Sequence, residues 1–214
     1  MFKRLLKKTF VYRLVQHSRF QRRMRQQVAH WKEAGRPVPP PPPVKQAIVR
    51  QFAKQFGTRT LVETGTFRGE MIHAMRRTFD NIYSIELDPV LFNEARVRFA
   101  KFSHITILQG DSGAVLSDLL KRIDEPCLFW LDGHWSDGPT ARGSKETPIM
   151  EESLSILGHR CKGHVILIDD ARCFTGEADY PTIAQLKDIY CGNRPDLAFD
   201  VADDIIRIVP NSVR

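Results

Sequence analysis

No apolar run in this 214-residue chain approaches the length of a membrane span, so no segment is expected to cross a bilayer. The N-terminus is basic but lacks a continuous apolar core and a small-residue cleavage site, which argues against a secretory signal. Its arginine richness leaves a transit peptide as the alternative reading. Four cysteines (Cys127, Cys161, Cys173, Cys191) show no CxxC spacing, as expected of reduced thiols in a cytoplasmic protein. There is no internal repeat, which excludes a solenoid.

Acidic residues are scarce in one place only. Residues 1–36 hold 11 Lys/Arg against the single acid Glu33, whereas the other 178 residues carry 21 bases and 24 acids. The formal charge of +7 therefore belongs to a basic arm on a mildly acidic domain. Phe2, Leu5, Leu6, Phe10, Leu14 and Val15 recur at near-helical spacing in the arm, so residues 1–36 read as an amphipathic helical segment. Such a segment suits an anionic membrane surface or a partner protein; RNA phosphates and simple packing are the alternatives. Pro37–Val38–Pro39–Pro40–Pro41–Pro42–Pro43 follows, a stiff polyproline II linker (37–43).

From 44 to 214 apolar strands alternate with helical patterns. Strands are predicted at Thr60–Glu63, Ile82–Glu86, Ile105–Leu108, Cys127–Leu131 and Val165–Ile168, with a closing antiparallel pair at Leu197–Val201 and Ile205–Val209. Helices are predicted at Val44–Phe56, Gly69–Thr78, Pro89 to about Ala100, Ser112–Ile123, Pro148–Leu157 and Pro181–Tyr190. CLFWL and VILI are wholly apolar, as strands buried on both faces are. The pattern predicts a doubly wound α/β domain with a mostly parallel seven-stranded sheet. Ligands in such sheets bind beyond the carboxyl ends of the strands.

Chemistry-bearing residues stand at those ends. After the first strand, TLVETGTFRG supplies Glu63, Gly65, Thr66 and Gly69, a glycine turn leading into a helix. Glu86 ends the second strand 21 residues beyond Gly65, where a carboxylate can accept both hydroxyls of a ribose. Asp111 follows the third strand and can bind an adenine amino group or cap the next helix. A dinucleotide enzyme would be expected to show GxGxxG, whereas this turn reads GTFRG; the lack of the middle glycine points to S-adenosylmethionine, which has no pyrophosphate.

Asp132 ends the fourth strand, and Asp169 with Asp170 ends the fifth. If those strands are neighbours, three carboxylates converge within roughly 5 Å of one another. Their repulsion would be relieved by a hard divalent cation such as Mg²⁺. The alternative is a pair of turn-capping acids. His134, two residues beyond Asp132, is a candidate general base or a loop histidine packed on Trp135. Arg68, Arg142, Lys145 and Arg172 are candidates for an acidic group of the substrate, or plain solvated charges.

From 44 to 209 the sequence resembles the class I S-adenosylmethionine-dependent methyltransferases, and within them the metal-dependent macrocin-type sugar O-methyltransferases. VETGTFRG at Val62–Gly69 is similar to that group's first motif, and Asp132, Asp169 and Asp170 fall where its metal-binding acids lie. His134 stands where some members carry an acidic base. The resemblance implies a Rossmann-like methyltransferase fold and Mg²⁺-assisted O-methylation of a small-molecule hydroxyl, a glycan among the candidates. A nucleic-acid methyltransferase using the arm is one alternative, although the Asn/Asp–Pro–Pro–aromatic signature is lacking after the fourth strand. A non-catalytic adaptor with the same fold is the other.

Overall fold

The computed structural model of the chain describes residues 22–133, 147–192 and 194–211. Two compact units divide it, Met1–Ala47 and Ile48–Arg214. In the first, residues 22–33 form helix α1, and Trp31 Nε1 donates to Pro37 O at 2.8 Å. The amphipathic stripe expected over Phe2–Val15 lies outside the described residues. Helix α2 begins earlier than the sequence suggests, spanning Pro42–Phe56. Pro42 and Pro43 occupy its first turn, where a missing N–H costs nothing, so the stiff linker is shorter by two prolines. No described helix is long and apolar enough to cross a membrane.

The second unit is built on one seven-stranded sheet: β1 (Thr60–Thr64), β2 (Asn81–Glu86), β3 (Ile105–Gln109), β4 (Cys127–Leu131), β5 (Val165–Ile168), β6 (Leu197–Ala202) and β7 (Ile205–Pro210). Their order is β3-β2-β1-β4-β5-β7-β6, parallel except for β7 between β5 and β6. Every residue of β1, β4 and β5 is buried, which accounts for the unbroken apolar runs of β4 and β5. The edge strands β3 and β6 are only half-buried and carry the polar residues. Between β6 and β7 a two-residue turn, Asp203–Asp204, has positive φ at both positions, the twist that a tight hairpin requires.

Helices α3 (Glu70–Met75), α4 (Pro89–Phe99), α5 (Ser112–Leu120), α6 (Ile149–Leu157) and α7 (Ile183–Cys191) connect the strands. Asp88 caps α4 through Val90 N and Leu91 N, with Pro89 at the first position. α3 and α5 are each three residues shorter at their C-terminal ends than their patterns suggest; α3 closes in a turn in which Thr78 N donates to Met75 O at 2.7 Å. α7 starts after Pro181 because Thr182 and Gln185 form a reciprocal capping box.

At the amino ends of β4 and β5 two buried histidines close a polar chain: Cys127 N donates to His164 Nδ1 at 3.0 Å, and His164 Nε2 meets His159 Nδ1 at 2.9 Å. Burial, with His159 next to it, pushes His164 down to about 4, so His164 serves as a neutral structural brace.

Register sets the functional end. Thr64 pairs with Leu131, and Leu131 with Ile168, so β1, β4 and β5 finish level. One more rung follows: Asp132 N donates to Thr64 O at 3.1 Å and Asp169 N to Leu131 O at 3.0 Å. Strand order reverses between β1 and β4, the place where open α/β sheets bind ligands.

Candidate cofactor site at the strand ends

The turn after β1 is held by its backbone. Gly65 N and Thr66 N both donate to Ile85 O, at 3.0 and 3.2 Å, which ties the turn to β2. Gly65 has φ of 81°, and a Cβ placed on it would stand 2.3 Å from Asp132 O, so only glycine lets β1 and β4 meet here. Gly69 (φ 67°) starts α3 against the Phe99 ring, 2.5 Å from where its Cβ would be. Thr66 is buried, and its hydroxyl lies 2.6 Å from Ser84 Oγ. Counted as GxGxxG from Gly65, the second glycine would fall at Phe67; Thr66, the residue between, packs down onto β2.

Two carboxyl groups lie beneath and beside this turn. Glu63 is 2% exposed and accepts a hydrogen bond from Ser84 Oγ at 2.5 Å. Burial pushes it up to about 8, with the charges of Asp132 and Glu86 acting in the same direction. At neutral pH Glu63 is therefore largely a neutral acid bracing β1 against β2. Glu86 accepts from Phe67 N at 2.7 Å through Oε2 and from Asp88 N at 2.9 Å through Oε1. Burial raises its pKa, and those two backbone donors oppose the rise. The two carboxylate oxygens offer about four acceptor sites, so the backbone donors of Phe67, Asp88 and Leu87 still leave room for a ribose hydroxyl. Phe67 reaches its contact at φ of 46°, a strained conformation for a non-glycine residue, and its ring is exposed with the Arg68 guanidinium 5.4 Å away.

Asp111 caps α5: its Oδ1 accepts from Gly113 N at 2.9 Å. Only one oxygen is used in that bond, so the cap does not exclude contact with an adenine amino group.

The expected trio of metal-binding acids does not assemble. Asp132 and Asp169 follow neighbouring strands as foreseen, but Asp170 turns into the left-handed region (φ 56°) and Arg172 Nη1 donates to its Oδ1 at 2.8 Å. The same Nη1 bonds to Asp204 Oδ2, and Arg172 N donates to Asp204 Oδ1 at 2.9 Å. The guanidinium thus does for Asp170 what a cation was expected to do. Among the described residues no three His, Cys, Asp or Glu side chains cluster as metal ligands. A three-carboxylate Mg²⁺ site does not fit this arrangement. His134, Arg142 and Lys145 lie outside the described residues.

One feature of the site escaped the sequence reading. Glu152 of α6 is 1% exposed, and its Oε1 accepts from Ser112 Oγ at 2.6 Å. Burial pushes it up to about 7. The available signal was its place in the apolar stripe Ile149, Ser153, Ile156, an acid on the face that α6 buries.

No protein-family model and no curated protein sequence matches the chain. Solved structures do. The O-methyltransferase of Bacillus cereus in complex with S-adenosylhomocysteine is 15% identical, with 87% of this chain and 90% of that chain covered and a TM-score of 0.56. The O-methyltransferase TomG of Streptomyces achromogenes, involved in tomaymycin synthesis and bound to S-adenosylmethionine, is 17% identical over 88% and 89%, with a TM-score of 0.56. The S-adenosylhomocysteine-bound methyltransferase PaMTH1 of Podospora anserina is 16% identical over 87% and 88%, TM-score 0.54. At these identities the likeness defines the fold, the Rossmann-like methyltransferase fold.

Proposed function

We propose that this protein is an S-adenosylmethionine-dependent methyltransferase acting on a hydroxyl of a small molecule, with sugars as the first candidates. The observation that carries the cofactor is Glu86. It is a buried carboxylate fixed by two backbone N–H groups, beside a glycine turn at the point where strand order reverses. Support for a hydroxyl acceptor comes from the O-methyltransferases among the similar structures, and for a sugar from the resemblance of the first motif to the macrocin-type enzymes.

In this reading Glu86 accepts the ribose hydroxyls and Asp111 the adenine amino group, and the Gly65 turn lets the backbone approach the methionine end. When bound, S-adenosylmethionine supplies a methyl group on a positively charged sulfur, open to in-line attack. The protein's part is alignment of the acceptor oxygen and removal of its proton. Asp132 follows β4 beside the Gly65 turn, and His134 stands two residues on as the candidate base. Arg172 engages Asp170, so no step runs through Mg²⁺.

Methyl-labelled S-adenosylmethionine offered with monosaccharides, nucleotide sugars, phenols and total RNA tests the reading. Label in an acid-stable methyl ether of a small molecule is the expected result. Label confined to RNA, or no turnover with any acceptor class, contradicts it.

A further inference from the structure

Four segments meet at one buried point below the mouth of the cleft. Thr64 ends β1, Ser112 begins α5, Gly133 follows β4, and Glu152 lies in the first turn of α6. A Cβ on Gly133 would stand 3.1 Å from Thr64 Oγ1 and 3.2 Å from both Glu152 Oε1 and Ser112 Oγ. Glycine at 133 is thus what lets the end of β4 close over the Ser112–Glu152 pair. All three side chains are buried: Thr64 0%, Glu152 1% and Ser112 7% exposed. Burying a carboxyl group costs free energy that one hydrogen bond only partly offsets. An apolar residue at 152 would continue the stripe of α6 without that cost.

Each partner of Glu152 adjoins a residue of the cofactor reading. Ser112 follows Asp111, the cap of α5 and the candidate adenine contact. Gly133 follows Asp132, whose carbonyl packs against Gly65. We propose that Glu152 is a positioning residue of the cofactor cleft: its carboxyl, bonded to Ser112 at the start of α5 and packed close to Gly133 after β4, fixes the spacing between Asp111 and the Gly65–Asp132 contact. The inference rests on the reading that S-adenosylmethionine occupies the strand ends. Asp111 and Glu151 are the nearby acids, and both act with burial to raise the pKa of Glu152. A neutral carboxyl accepts from Ser112 as a glutamine would, so charge is not needed for the tie.

Calorimetric titration of S-adenosylmethionine into the full chain tests it, with wild type, Glu152→Gln, Glu152→Ala, Ser112→Ala and the double variant Ser112→Ala/Glu152→Ala. Loss of one well-placed hydrogen bond corresponds to about tenfold in affinity. Glu152→Ala and Ser112→Ala should each weaken binding by about that factor, and Glu152→Gln by less than about threefold. The double variant should bind no more weakly than Glu152→Ala, because both changes remove the same tie. Ser112→Ala removes a single hydroxyl, so it serves as the test should Glu152→Ala fold poorly. Wild-type affinity in Ser112→Ala, or a Gln variant as weak as the Ala variant, overturns the inference while the cofactor reading stands. A wild type that takes up no S-adenosylmethionine overturns both.

Discussion

Replacing Glu63 by Gln should remove most of the protein's loss of stability between pH 6.5 and 8. Glu63 is buried and pushed from 4.5 to about 8, so the folded chain keeps a proton that the unfolded chain gives up above pH 4.5. Its contribution is complete below pH 4.5 and fades as the pH climbs to about 8. By pH 8 the loss amounts to about 4 kcal/mol, of which roughly 1.5 kcal/mol falls between pH 6.5 and 8. Glu152, pushed up to about 7, adds a smaller fall in the same direction. His164 acts oppositely, since burial lowers it to about 4, but its effect lies below its ordinary value of 6.5. Above pH 6.5 the fall therefore comes from buried acids, with Glu152 and Glu86 acting in the same direction as Glu63. Glutamine keeps an acceptor for Ser84 Oγ and cannot ionise, so Glu63→Gln should match wild type near pH 5 and exceed it at pH 8. Urea unfolding followed by circular dichroism at pH 5, 6.5 and 8, at constant ionic strength, gives the comparison. Wild-type stability that rises from pH 6.5 to 8, or a variant with the same slope as wild type, refutes the reasoning.

Gly65→Ala places a methyl 2.3 Å from Asp132 O at φ of 81°, so it should cost more than about 2 kcal/mol in urea unfolding and weaken cofactor binding at least tenfold by calorimetry. Arg172→Ala removes the cation between Asp170 and Asp204, both of which are buried. The Arg172 side chain is 40% exposed, so solvent screening limits the expected loss to about 1 kcal/mol, read from the urea midpoint and smaller for Arg172→Lys.

The sheet was legible because its signal is local and strong. Unbroken runs such as CLFWL and VILI need burial on both faces, and only a parallel sheet with helices on each side provides it. Pro89, Asp111 and the glycine turn could be placed for the same reason: caps and turns are read over three or four residues. What failed depended on partners distant in sequence. Asp170 looked like one of three converging acids, but Arg172 bonds to it, and that guanidinium is held in turn by the hairpin residue Asp204, which no spacing rule connects with Arg172. The bond that the Glu63 carboxyl accepts from Ser84, 21 residues away on the adjacent strand, was likewise outside local sequence patterns. Glu152 was overlooked because a single acid in an amphipathic helix reads as surface until the packing of α5 on α6 is known. Prolines 42 and 43 were assigned to the linker because composition alone does not separate polyproline II from a helix's first turn.

The central claim is that the carboxyl ends of β1 and β2 hold S-adenosylmethionine through Glu86. Isothermal titration of S-adenosylmethionine into wild type and Glu86→Ala tests it directly. The account predicts one binding event per chain for wild type, and affinity at least tenfold weaker once the carboxylate that accepts the ribose hydroxyls is gone. No heat with wild type, or equal affinity in the two proteins, contradicts it.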